Sequence, residues 1–316
     1  MRIALVTEQL VPSDDPSARV ARAVVTRLTG AGHDVVVFAG GRGQSTFHGA
    51  RVFWASRMTP VSAVREAMAL SRPDVCHLLD PHRLGLKAAE AAERLDVPVL
   101  VLDPRAWALG VDLEDHHPGL RDTRLHDRWA RAAAPGEGLT VVGYVGPLER
   151  RKVVQRLVAL SRTPGLRLVA VGDGPGAEAL RAAGAKVVAH ATTLERATCV
   201  ASFDVLVQPR KREVYSPVVN EALASGVPVV AFASGSAATV VEHRVNGLLV
   251  PTDRGARALG RAVGRLAQDA DLRRSLAGAA RASVSGHDWE AAVGRLVADH
   301  YAPAAGAPAA ADPVAR

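Results

Sequence analysis

The densest chemistry in this 316-residue chain lies in Glu213-Val214-Tyr215-Ser216-Pro217-Val218-Val219-Asn220-Glu221. The apolar run that follows stops at Gly226, so the spacing predicts a buried helix ending there and a strand through Val229 and Val230. A carboxylate one turn into such a helix costs free energy unless something hydrogen-bonds it. Two carboxylates straddling a helix N-terminus can accept hydrogen bonds from sugar hydroxyls. Backbone N–H groups across Ser216–Val218 would then face phosphate or sugar oxygens. The blander alternative is a surface Glu213 and a helix-capping Glu221. A second segment, Val145-Gly146-Pro147-Leu148-Glu149-Arg150-Arg151-Lys152, joins a glycine, a helix start and three consecutive cations. That is a chemistry for diphosphate, or else a solvated charge run at a helix end. A third, Gly172-Asp173-Gly174-Pro175, has glycines that permit a tight turn close to a ligand and a proline suited to a first helical turn.

These segments must be held by strands. Short β-branched apolar runs alternate with helical periodicity through most of the chain. Ile3–Val6, Val35–Ala39, Val52–Trp54, Val75–Leu79 and Val99–Leu102 read as strands, with helices over Ser17–Thr29, Val61–Leu70 and Leu84–Leu95. The cycle restarts with strands at Leu139–Val145, Leu166–Val171, Val187–Ala189, Val205–Val207, Val229–Phe232 and Leu248–Val250. Apolar strands separated by helices imply parallel sheets covered on both faces, hence two doubly wound α/β domains. The polar, proline-broken stretch from Asp103 to Gly138 reads as the connection. After Asp253 the pattern is helical through Ala256–Gln268, Ala270–Val284 and Trp289–Tyr301, then Ala/Pro/Gly-rich. In open parallel sheets ligands bind beyond the carboxyl ends of the strands, where all three chemical segments fall. Gly40-Gly41-Arg42-Gly43 follows a strand without opening a helix, so it reads as a loop rather than a dinucleotide fingerprint.

Composition narrows the classes. With 48% hydrophobic and 22% charged residues, the chain is globular. Only four lysines stand against 35 arginines, a coding-sequence habit behind part of the +7 charge. Basic residues are scattered and aromatics make up 4%, so no base-stacking platform for nucleic acid is visible. Phosphate-bearing small molecules suit the charge. Cys76 and Cys199 lie in apolar runs without disulfide or metal spacing, and no histidines are spaced as ligands, so no metal and no resident cofactor is expected. The opening Met1–Val6 run reads as a strand rather than a signal peptide, and nothing is long and apolar enough to span a membrane. A cytoplasmic protein without stable membrane association is expected.

The pattern resembles the Glu-x7-Glu signature of retaining GT-B glycosyltransferases, family 4, of the actinobacterial mannosyltransferase type. Supporting matches are Val142-Gly143-Tyr144-Val145-Gly146 with Lys152, the Gly172–Pro175 corner, Ala224-Ser225-Gly226-Val227-Pro228, Gly235, Glu242, Asn246-Gly247-Leu248, and Gly110-Val111-Asp112 with Pro118 soon after. Glu8, Pro12 and Pro73-Asp74-Val75-Cys76-His77-Leu78 resemble the acceptor-side domain. The likeness runs from residue 1 to about 302 and is specific in the second half. It implies a GT-B fold, two Rossmann-like domains facing a central cleft. The first domain would span 1–109, a linker 110–138, the donor domain 139–285, a helix crossing back 286–302, and a disordered tail 303–316. By position, the resemblance implies Glu213 and Lys152 as catalytic residues, Lys152 on the donor phosphates and Glu213 on the donor sugar. Glu221 would hold the nucleotide ribose. Gly146, Arg151, Gly172, Gly174, Tyr215, Ser216, Pro217 and Val218 complete the donor site. Glu8, His77, Asp103 and Arg105 stand on the acceptor side. The substrates are a nucleotide-diphosphate sugar, GDP-linked first and UDP-linked second, and a small soluble acceptor of natural-product assembly.

Several positions depart from that family. Pro147 stands where it usually has an arginine, Pro16 where it has a glycine, and Leu102-Asp103-Pro104-Arg105 where it has a histidine. Some 50–60 residues expected before Gly110 are missing, which trims the first domain by about a strand and two helices. These departures admit a second class, a degenerate member that binds a nucleotide sugar without turnover as a partner subunit. The trimmed sheet also leads to the expectation of a homodimer.

Overall fold

The computed structural model describes residues 1–11, 16–102, 107, 109–133, 138–189, 192–211, 216–235 and 237–306. The chain divides into two units, Met1–Trp107 with Trp289–Arg316, and Ala108–Asp288.

Unit 1 holds strands β1 (Arg2–Thr7), β2 (Asp34–Gly40), β3 (Thr46–Phe47), β4 (Ala50–Ala55), β5 (Val75–Leu78) and β6 (Val99–Leu100), in the order β3-β4-β2-β1-β5-β6. All pairs are parallel except β3–β4, a hairpin unforeseen in the sequence. Its turn, His48-Gly49, has φ of 46° and 85°, the left-handed pair that a two-residue hairpin demands. Helices α1 (Pro16–Gly30), α2 (Val61–Ser71) and α3 (Arg83–Glu93) cover the sheet. Ala4, Val6, Phe38, Cys76 and Leu78 pack with Val64, Met68, Ala88 and Ala92 to form one core face. β6 is shorter than the expected Val99–Leu102, with Val101 half exposed.

Unit 2 holds β7 (Thr140–Val145), β8 (Leu166–Val171), β9 (Lys186–Val188), β10 (Val205–Gln208), β11 (Val229–Phe232) and β12 (Gly247–Val250), ordered β12-β11-β10-β7-β8-β9 and parallel throughout. The order of its helices is α4 (Thr123–Ala130), α5 (Arg151–Ser161), α6 (Ala177–Ala182), α7 (Thr193–Ala201), α8 (Pro217–Ala224), α9 (Ala237–Val240), α10 (Gly255–Gln268) and α11 (Ala270–Ala280). Two apolar clusters lie in this unit, one including α8 and the other including α5 and α10.

The described residues of the stretch 110–138, expected to be a linker, fall within unit 2. Val111, Trp129 and Ala130 belong to the unit 2 core, and Leu113 and Leu125 pack against it. The Asp122 side chain caps α4 by accepting from the Leu125 amide at 3.0 Å. At the amino end of the sheet, Asp204 accepts from the Val141 amide (2.8 Å), Arg121 (3.0 Å) and His126 Nε2 (3.0 Å). The bond to Asp204 raises the His126 pKa above its ordinary value. Burial pushes Asp204 up, but His126, the Val141 amide and Arg121 outweigh it and hold the carboxyl below its ordinary value.

The expected helix Trp289–Tyr301 is α12 (Trp289–Arg295) followed by a π-helical turn, Leu296–Tyr301, within unit 1. Its Ala292 carbonyl accepts from Trp107 Nε1 at 2.9 Å. A last helix, Ala302–Gly306, occupies the start of the expected tail, whose remainder lies outside the described residues.

Candidate active site

The carboxyl ends of β7, β8 and β10 are adjacent in the unit 2 sheet, and the loops leaving β7 and β8 are built into each other. The Gly146 amide donates to the Val171 carbonyl (3.0 Å), the Leu148 amide to Asp173 (2.7 Å), and the Gly176 amide to Leu148 (2.9 Å). Gly146, Gly172 and Gly174 have φ of 144°, 145° and 140°. A β-carbon on Gly172 would stand 2.2 Å from the Gly146 carbonyl oxygen, and one on Gly174 2.7 Å from the Leu148 carbonyl carbon. Only glycine fits either place. The result is a backbone shelf.

Helix α5 rises from this shelf with no side-chain cap, no acid in its first turn, and Arg151 and Lys152 exposed there. Cations at a helix N-terminus oppose the macrodipole, and a bound anion would satisfy both. Tyr144 Oη donates to the Pro147 carbonyl at 3.1 Å and fixes the turn. Arg210, two residues past β10, brings Nη2 to 3.8 Å from where a Gly146 β-carbon would stand. It is a cation beside the turn that holds Pro147.

Helix α8 carries the second chemical segment. Ser216 is its buried N-cap residue, yet its hydroxyl accepts from Gln208 Nε2 at 2.7 Å rather than capping the helix. Pro217 has no N–H, so the backbone donors expected across Ser216–Val218 reduce to Ser216 and Val218. Glu221 is buried, with Oε1 3.9 Å from the Nε2 of buried His116. Asn220 Nδ2 donates to the Leu109 carbonyl at 2.6 Å. Arg281 donates to the carbonyls of Leu113, His116 and Ala224 at 3.2, 2.9 and 2.6 Å. It pins the His116 segment to the negative end of α8.

Gly172 therefore packs on Gly146 and Gly174 on Leu148, while Lys152 and Arg151 occupy the first turn of the helix that leaves this turn. Glu213 and Tyr215 lie outside the described residues, as do Asp103 and Arg105. On the acceptor side, Glu8 Oε1 accepts from the Leu84 amide at 2.6 Å. Asp80 accepts from both Thr7 Oγ1 (2.9 Å) and the Glu8 amide (3.1 Å) and fixes the end of β1. His77 belongs to β5. It is fully buried, its Nδ1 2.7 Å from Tyr301 Oη, and burial, with a smaller contribution from His300, pushes its pKa down to about 3. Sequence reasoning missed Arg210, Gln208 and His116. The run Arg210-Lys211-Arg212 after a strand was a signal for the first; nothing local marks the others.

Among the described residues no group of three or more His, Cys, Asp or Glu side chains is arranged to hold a metal ion, and no helix is long and apolar enough to cross a membrane.

Residues 139–269 match the family described as glycosyl transferases group 1. Full-length structural likeness joins the chain to sucrose-phosphate synthase of Thermosynechococcus elongatus (TM-score 0.69, 21% identity, 96% of this chain and 99% of that one). It also joins it to Anabaena Alr3699/HepE in complex with UDP-glucose (TM-score 0.72, 17% identity, 96% and 100%). The fold is thus GT-B. A GDP-mannose-dependent alpha-mannosyltransferase of Mycobacterium tuberculosis is 30% identical, covering 95% of this chain and 96% of that protein. The alignment runs over 372 residues, so the relative has segments with no counterpart here. The chain belongs to the glycosyl transferases group 1 family, as a glycosyltransferase that takes its sugar from a nucleotide sugar.

Proposed function

We propose that the chain transfers a hexose, with retention of anomeric configuration, from a GDP-sugar to a small soluble acceptor in natural-product assembly. A UDP-sugar is the second donor in order. The observation that carries the reading is the glycine shelf continued into the cationic first turn of α5. The M. tuberculosis relative supports the guanine nucleotide and a mannosyl-type sugar. In this reading the diphosphate lies on Gly146, Gly172 and Gly174, and Lys152 and Arg151 neutralise the charge that grows as the nucleotide leaves. Ser216 and Val218 hold sugar and phosphate oxygens, Glu221 takes the ribose hydroxyls beside His116, and Glu213 meets the donor sugar. Positioning and charge neutralisation supply the catalysis, with no metal ion.

The reading includes a cytoplasmic enzyme and a homodimer that closes the β6 edge. Light scattering tests the dimer: a 33.1 kDa species throughout a dilution series excludes it. The function is tested by incubating purified protein with GDP-mannose and UDP-glucose after EDTA treatment, reading nucleotide release and the anomeric configuration of products by NMR. Release and an axial product with GDP-mannose support the reading. An inverted product, or no binding of either nucleotide, overturns it, and binding without turnover under any acceptor points to a degenerate partner subunit.

A further inference from the structure

Unit 1 has a cavity of its own, about 880 Å³, where β1, β2 and β4 end and α3 begins. Binding cavities for small molecules run from roughly 300 to 1,000 Å³, so the space suits one or two sugar rings. Its floor is tight, since a β-carbon on Gly40 would stand 2.5 Å from the Glu8 carbonyl oxygen. Its walls are charged, and unevenly. Among the described residues, Arg57, Arg83 and Lys87 line it with His82, against one carboxylate, Glu8. That carboxylate already accepts the Leu84 amide of α3 through Oε1. Lys87 is also committed, donating to the carbonyls of Arg57 (3.1 Å) and Thr59 (2.6 Å) and so fixing the backbone that carries Arg57. The exposed side chains of Arg57 and Arg83 are left as the cationic rim of a concavity, where like charges draw in an anion.

We infer that this cavity takes the acceptor and selects one that bears an anionic group, a phosphate monoester or a carboxylate, on a hydroxylated ring. Arg57 and Arg83 grip the anion, for which the planar guanidinium is matched. Glu8, held in place by the Leu84 amide and by Asp80 on its own amide, accepts from a ring hydroxyl. The inference rests on the glycosyltransferase reading and names the acceptor class within it. A soluble sugar phosphate and the head group of an anionic lipid present the same chemistry, and the test separates them.

The test uses the full chain and calorimetric titration with glucose 6-phosphate, glucuronate, glucose and glucosamine, and with phosphatidylinositol vesicles, whose head group joins a phosphate to a hydroxylated ring. The two anionic sugars bind more tightly than glucose, and glucosamine binds weakest. Arg57→Gln and Arg83→Gln each weaken glucose 6-phosphate by about tenfold, with folding checked by circular dichroism, and raised salt weakens it further. Binding of vesicles but not of the soluble anions assigns the anion to a lipid head group; the reverse assigns it to a free metabolite. Equal affinity for glucose and glucose 6-phosphate, or both variants silent, overturns the inference. GDP titrated separately keeps the two readings apart. Tight GDP with indifferent acceptor probes sinks only the anionic-acceptor inference, whereas absent GDP and UDP binding sinks the donor reading itself.

Discussion

Substituting Gly172 by alanine tests the shelf directly. At φ 145° the residue lies where an alanine backbone is strained by roughly 1–3 kcal/mol. The new β-carbon would meet the Gly146 carbonyl oxygen at 2.2 Å, and backbone cannot swing aside like a side chain. Relief requires displacing the β7–α5 turn, whose Gly146 amide bond to Val171 and Leu148 amide bond to Asp173 hold it in register. Overpacking of this kind costs a further ~1–3 kcal/mol, so Gly172→Ala loses about 2–6 kcal/mol of stability. The residual fold carries a displaced phosphate turn and binds GDP far more weakly. Gly184→Ala is the control, with φ of 86° and nothing within 4 Å of its β-carbon, and it pays only the strain. Urea unfolding and GDP calorimetry are run on both variants. If Gly172→Ala matches Gly184→Ala in stability and retains GDP affinity, the two loops do not form a common shelf and the argument fails.

Lys152→Ala and Arg210→Ala both lower turnover and GDP affinity, measured by steady-state kinetics and calorimetry. A silent Arg210→Ala would mean that its guanidinium beside Gly146 plays no part in phosphate binding. Glu221→Ala weakens GDP by tenfold or more, the loss of charge-assisted bonds worth ~1.5–3 kcal/mol; unchanged affinity in a folded protein removes its ribose role. His126 has its pKa raised by Asp204, so its bridge stabilises fully below about pH 6.5 and is lost as pH rises through the folded value. The stability gap between wild type and His126→Gln is therefore wider at pH 5.5 than at pH 8.5, and a flat gap across that range contradicts it.

All strands but β3 were legible as short apolar runs, the most buried of them, such as β5, β10 and β11, covered on both faces. The segment 110–138 misled because its apolar residues, Val111, Leu113, Leu125 and Trp129, are too sparse to form a pattern while all turn into one core. The β3 hairpin hid behind His48-Gly49, a turn pair without the usual asparagine. Of the site, the glycine corners were legible by residue type, but their mutual contact was not, since it depends on β7 and β8 being neighbours. His116 beside Glu221 depends on the same kind of distant pairing. The burial of His77 and its bond to Tyr301 were not legible either, because that partner lies 224 positions away.

That pairing has a consequence for how the protein is made. Unit 2 is one uninterrupted stretch, but unit 1 includes the segment from Trp289 onward, which places Tyr301 against His77 and the Ala292 carbonyl against Trp107. On the ribosome, the first sheet emerges with those positions uncovered. At 5–20 residues per second, translation of everything between takes on the order of 10–40 s. The half made first is therefore the half finished last, and unit 2 can fold while unit 1 waits for its final helix.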